Sequence, residues 1–176
     1  MTAETLTGAR AAAAIQPAAN FMSGVPNVAW GHYSIAATAL EDGDIFKLCK
    51  LPKNALVIGG WYTCGDLDTG TEAVDIDMGW ADNGGASETY TGSDGTTYTN
   101  MYDGNAAAAG FVNSGVLTGD AITDLLAAGN NLRFFPMTNG PIYFSRETIV
   151  QFEANVAQNT PQAGVVMVVI LYIALG

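Results

Sequence analysis

Carboxylates are the only plentiful reactive side chains in this 176-residue sequence, and they are therefore the first candidates for chemistry. One stretch holds five of them, at Asp66, Asp68, Glu72, Asp75 and Asp77. The spacing from Asp66 through Gly70 to Glu72 is similar to a calcium loop, but the glycine is misplaced for an EF-hand and the glutamate comes too early. A solvated turn, followed by a strand with its acids facing outward, explains the same residues. We therefore expect no metal and no cofactor.

Other catalytic arrangements lack the partners that they need. His32 is the only histidine, so a histidine metal pair is impossible, and no Gly-x-Ser-x-Gly elbow accompanies it. A glycosidase would need two carboxylates across a cleft, with aromatic side chains to hold the sugar. Phosphate-binding loops, dinucleotide-binding fingerprints and zinc-type Cys/His clusters are absent from the sequence. The sequence therefore predicts a protein that is not an enzyme, with a carboxylate-dependent hydrolase or lyase as an alternative.

The charge balance argues against two classes of partner. Seventeen acidic and six basic side chains give a net charge of −11, and the basic residues are scattered, which disfavours direct nucleic-acid binding. The apolar run at residues 165–175 is too short for a spanning helix, which needs about 20 residues. No signal-peptide pattern opens the sequence, and we expect Cys49 and Cys64 to be free thiols of a protein made in a reducing cytoplasm.

The order of turn residues and apolar segments along the sequence is typical of a β protein. Ile45–Leu51 and residues 56–63 are predicted strands of one hairpin around Pro52, which would place Cys49 near Val57. Alternation predicts a strand over residues 73–80, with Asp75 and Asp77 outward. Further strands are predicted at residues 132–135, Ile142–Phe144, Thr148–Val156 and 165–174. Because residues 165–175 are wholly apolar, we expect a central strand buried on both faces.

The remaining segments are predicted as a loop, two helices and an arm. Residues 81–104 form a polar loop insertion, in which a small hairpin would place Tyr90 opposite Tyr98. Short helices are predicted at residues 106–111 and 121–128. Residues 1–25 are interpreted as an N-terminal arm that orders mainly against a neighbouring subunit, with a short alanine-rich helix at residues 9–15 as the alternative.

These elements predict an all-β fold, a β-sandwich of jelly-roll or Ig-like type, over residues 26–176 as a single domain. Its candidate partner contacts are in the arm and in the tyrosine-rich loop. They are Arg10, Tyr90, Tyr98 and Tyr102.

A series of turn and strand motifs resembles small virion proteins of tailed bacteriophages. The motifs are the Gly43-Asp44 turn, Leu51-Pro52, the sequence from Asp66 to Gly70, and a strand ending at Gly79. The segment from Pro161 to Gly164 leads the last strand in a similar way. The resemblance covers residues 43–174, with a looser match over 81–129.

The resemblance implies a head decoration (cement) or minor capsid protein that binds the major capsid protein and copies of itself, as a homotrimer. It implies a place on the capsid surface of the virion after synthesis in the host cytoplasm, and it supplies no catalytic residue. The tyrosine-rich loop leaves one further alternative open, a carbohydrate- or ligand-binding β module displayed on a particle.

Overall fold

The computed structural model describes residues 3–12, 25–37, 40–65, 67, 75–84, 88–91, 97–100, 107–112, 133–135, 141–156 and 160–175. These residues form one short helix, α1 (Ala9–Ala12), and twelve strands. The strands are β1 (Thr5–Thr7), β2 (Pro26–Ile35), β3 (Ile45–Leu51), β4 (Ala55–Cys64), β5 (Asp75–Trp80), β6 (Glu88–Thr91), β7 (Thr97–Asn100), β8 (Ala107–Val112), β9 (Arg133–Phe135), β10 (Ile142–Phe144), β11 (Thr148–Val156) and β12 (Gly164–Ala174).

Ten of the strands form two sheets that enclose the core. Sheet A has the order β1-β3-β11-β5-β8, and sheet B has the order β10-β4-β12-β2, with β9 also pairing with β4. Consecutive strands from β2 to β5, and again from β10 to β12, alternate between the two sheets. This interleaving is the jelly-roll arrangement of a β-sandwich. The predicted all-β sandwich is confirmed, and its strand order is that of a jelly roll rather than of an Ig-like domain.

Aromatic and aliphatic side chains fill the space between the sheets. Trp80 and Phe144 pack edge to face with ring centroids 5.1 Å apart, and both are fully buried. Phe46 and Tyr172 are buried in the same cluster. Each such side chain removed from water contributes on the order of 1.5–3 kcal/mol. Burial also raises the pKa of the Cys49 thiol to about 12, so the expected buried thiol is confirmed at this position.

The predicted hairpin between β3 and β4 is wrong, although both strands exist. In sheet A, β3 pairs with β11, whereas in sheet B, β4 pairs with β12. The connection at Pro52–Asn54 therefore carries the chain from one sheet to the other, and Asn54 has the left-handed φ of 60°. A short connection between two strands is compatible with a hairpin and with a corner of a sandwich, and the strand partners decide between them.

The helix predicted at residues 106–111 is also wrong, because this segment is strand β8. It pairs with β5, where Ala107 lies opposite Trp80 and Val112 opposite Met78. Alanine favours a helix intrinsically, but pairing with β5 overrides this preference here. The helix predicted at residues 121–128 lies outside the described residues.

Strand β2 was not predicted, because the side-chain pattern of its first half is the reverse of the usual one. Small residues face inward, including Ala29 and Gly31, whereas the bulky Val28 and Trp30 face outward. Gly31 is required by the close approach of β3, since a Cβ atom at this position would lie 2.0 Å from the Leu48 carbonyl oxygen. The two sheets thus come together at this side of the sandwich.

Residues 3–12 pack on their own domain, so the expectation that the arm orders mainly against a neighbour is wrong for these residues. Strand β1 pairs in parallel with β3, and the amide of Gly8 donates to the carbonyl of Lys47 at 2.6 Å. Ala11 is buried and Leu6 packs against the core. The alternative of a short alanine-rich helix is confirmed over Ala9–Ala12. Residues 13–24 lie outside the described part of the chain.

Candidate functional site, an apolar sheet face

Strand β12 is central in sheet B, as predicted, but only one of its faces is fully buried. Val166, Val168, Ile170 and Tyr172 point into the core with no exposed surface. Met167, Val169, Leu171 and Ile173 alternate with them and are only partly buried. The expectation of burial on both faces is therefore corrected: within the described chain, nothing fully covers the outward side of this apolar strand.

The neighbouring strands continue this outward apolar surface. Across the sheet, Val169 lies between Trp30 of β2 and Trp61 of β4, and Leu171 lies opposite Val28. Val28 is 49% exposed and Trp30 is 39% exposed. We call this surface the apolar face of sheet B. Its members are Val28, Trp30, Leu56, Trp61, Val165, Met167, Val169, Leu171 and Ile173.

The outward face of sheet A has a different chemistry. It carries Lys50, whose ammonium lies 3.1 Å from the Glu147 carboxylate, and it carries Glu153 directly opposite Asp77. Burial and the Asp77 charge both raise the pKa of Glu153 above its ordinary value. The outer faces of the two sheets thus differ: sheet A is charged, whereas the members of the apolar face include no acidic residue.

The expectation that the outward acids of β5 are solvated is wrong at Asp77. It lies on the outward side of β5, as the alternation predicted, since it is opposite Glu153. However, it is only 7% exposed and not solvated. Only the backbone of Asp75 is described, and Asp66, Asp68 and Glu72 lie outside the described residues. Among the described residues, no group of three or more His, Cys, Asp and Glu side chains is arranged to hold a metal ion.

Arg10 and His32 flank Trp30 at the edge of the apolar face. The guanidinium carbon of Arg10 lies 3.5 Å from the centroid of the Trp30 ring, which is cation–π geometry. The exposed ring of His32 stacks on Trp30 with a centroid distance of 6.2 Å. Arg10, a predicted partner contact, is therefore held against the rim of the apolar face by its own chain.

The other predicted contact residues lie in a separate hairpin. Strands β6 and β7 pair with Tyr90 opposite Tyr98, which confirms the predicted hairpin and its register. Tyr102 lies outside the described residues. Among the described helices, none is long and apolar enough to cross a membrane.

Sequence patterns did not predict the apolar face itself. The available signal was the pair of outward residues Val28 and Trp30 in β2, together with the continuous apolar run of β12. That run was assigned to a strand buried on both sides, because a sequence pattern does not distinguish a covered face from an exposed one.

Comparison with solved structures identifies chains with a similar jelly-roll fold. A chain of the capsid asymmetric unit of cyanophage Pam1 superposes with a TM-score of 0.58 at 18% identity, over 94% of this chain and 96% of that one. A chain from the capsid of Ralstonia phage GP4 superposes with a TM-score of 0.57 at 13% identity, over 98% of both.

This is a fold found in phage capsids. The likeness extends over almost the entire length of each chain, so it concerns the complete jelly roll rather than one shared motif. At these identities it establishes the fold. No protein-family model and no curated protein sequence matches the chain.

Proposed function

We propose that this protein is a structural component of a phage virion, a decoration (cement) protein that binds and stabilises the lattice of the major capsid protein as a homotrimer. The observation that carries this proposal is the end-to-end likeness of its jelly roll to chains in two phage capsid structures. The proposed place is the capsid surface, and the proposed role is not enzymatic.

The surface chemistry supports a role in assembly. A decoration protein must remain folded while it presents a broad surface to other subunits. Here a well-filled core holds a sheet whose outward side remains apolar, and exposed apolar patches of this kind mark protein-interaction sites in soluble proteins. The high negative net charge favours solubility before assembly and suits contact with a basic surface.

The direct test is whether the protein occupies particles, and where. Particles from cells that express the phage structural genes, with and without this gene, would be purified and imaged by electron cryomicroscopy. We expect added density of jelly-roll shape on the outside of the capsid lattice, and lower resistance of the shell to heat when the gene is deleted. Absence of the protein from purified particles, with unchanged shell stability, would overturn the proposal.

A glycan array with the same purified protein tests the alternative of a carbohydrate-binding module. Specific glycan binding that is lost in Tyr90→Ala and Tyr98→Ala, in a protein absent from the shell, would favour that alternative. The decoration role predicts no such binding.

A further inference from the structure

The apolar face of sheet B is partly exposed, and the charge of the chain limits which partner can cover it. Every copy of this protein carries a net charge of −11, so two copies repel each other over most of their surfaces. No Asp or Glu is among the members of the apolar face. Charge is also depleted from the centres of protein interfaces in general. Two copies that contact each other through this face therefore place no carboxylates opposite one another.

The composition of β2 adds a second argument. In an edge strand with one wet face, polar side chains normally point outward. In the first half of β2 the arrangement is reversed, with the small Ala29 and Gly31 inside and Val28 and Trp30 outside. Trp30 moreover contacts both Arg10 and His32. An ordered tryptophan on an apolar surface is a typical anchor of a protein interface.

The dimensions of the face are sufficient for a specific contact. Three adjacent strands of about ten residues, spaced about 4.8 Å apart and rising about 3.3 Å per residue, cover roughly 500 Å². Two such faces together bury on the order of 1,000 Å², which is the lower limit for a specific interface.

We propose that the apolar face of sheet B is the surface through which copies of this chain associate with one another. The occupant is a second copy, whose Val169 and Trp61 region packs on the face of the first. Contact of this face with the same face of a second copy closes a pair, so this inference adds to the proposed function a contact distinct from those within the homotrimer. Self-association nevertheless requires no capsid protein, so it can be tested apart from that function.

The test is the mass of the purified full-length protein in solution, measured by sedimentation over a range of concentrations. Val169→Asp places a charge at the centre of the face, and Ile149→Asp is the matched control. Ile149 is a partly buried aliphatic residue on the other sheet, where it lies opposite Lys50. We expect the dissociation constant for self-association to rise at least roughly 100-fold in Val169→Asp and to stay near the wild-type value in Ile149→Asp.

A second variant keeps the test decisive if Val169→Asp does not fold. Val28→Asp changes a residue on the edge strand that is already half exposed, so the fold should tolerate it, and the same weakening is expected. Wild-type protein that remains monomeric at about 100 μM, or folded variants of the face that associate as well as wild type, would overturn the inference.

Binding to particles separates this inference from the proposed function. Oligomers that fail to bind capsids would refute the decoration role and leave the inference intact. Wild-type monomers whose capsid binding is abolished by Val169→Asp would show that the face contacts the capsid lattice, and would refute the inference.

Discussion

Replacement of Asp44 by alanine tests whether the N-terminal segment is part of the folded domain. The Asp44 carboxylate is only 5% exposed and accepts hydrogen bonds from two backbone amides, of Glu4 at 2.7 Å and of Glu41 at 2.9 Å. It thereby joins the start of β1 to the turn before β3. The amide of Ile45 donates in return to the carbonyl of Glu4 at 2.8 Å. Removal of the carboxylate leaves both amides without their charged acceptor.

The expected cost follows from these two bonds. A hydrogen bond to a charged group contributes about 1.5–3 kcal/mol when it is buried. Both bonds of Asp44 are only partly buried, and water can reach the exposed Glu4, so the lower end applies. We expect Asp44→Ala to lower the free energy of unfolding by about 2–4 kcal/mol in urea titrations. Amide hydrogen exchange at Gly8 should also accelerate, because its bond to Lys47 lies in the segment that is released.

Asp42→Ala is the matched control for this experiment. It removes the same side chain two residues earlier, at an exposed position in the same turn. Exposed substitutions of this kind change stability by about 0.5 kcal/mol or less. Equal effects of the two variants, or unchanged exchange at Gly8 in Asp44→Ala, would refute the claim that Asp44 holds the N-terminal segment on the sandwich.

Four further predictions concern the core, one strand pair and metal. Gly31→Ala should abolish or severely impair folding in thermal melts, because the new methyl group would collide with the Leu48 backbone; a melting curve like that of the wild type would refute the close approach. Val168→Asp should prevent soluble folding, since an unpaired charge in the core costs several kcal/mol, and a soluble folded variant would contradict its burial. Glu153→Gln should raise the free energy of unfolding at pH 7 by about 0.2–1 kcal/mol. The pKa of Glu153 is raised in the folded protein, so the stability that this side chain contributes is fully present at low pH and is lost as pH rises through the folded pKa. This gain should vanish below about pH 4 in urea titrations, and a gain that persists in acid would show that the buried, ionised carboxylate of Glu153 is not its source. A chelator should leave the melting temperature unchanged, and a large decrease in melting temperature would instead support a bound calcium ion.

Local sequence patterns predicted most of the strands of this protein. Ile45–Leu51, Ile142–Phe144 and Thr148–Val156 were predicted with the bounds that the structure shows. The β6–β7 hairpin was predicted with its register. These predictions are correct because period-two alternation and turn residues are local properties, which follow directly from the pleat of a strand and the geometry of a turn.

Other elements depended on contacts between distant parts of the chain. Nothing local distinguishes a corner at Pro52 from a hairpin, and alanine-rich β8 becomes a strand only because β5 lies beside it. The first half of strand β2 has small inward residues, and at Gly31 the close approach of β3 requires one. These outcomes reflect packing across the sandwich, which pairs residues far apart in sequence.

The candidate site likewise combines features that local sequence predicts with features that depend on tertiary contacts. Sequence alone predicted an apolar strand at residues 165–174, the dominance of acidic groups in the charge and a resemblance to phage virion proteins. Only the tertiary structure decided that one side of this strand faces outward, beside Val28 and Trp30. The physical reason is that strand alternation separates the two faces, whereas the sheets and segments packed around a strand determine which face is covered.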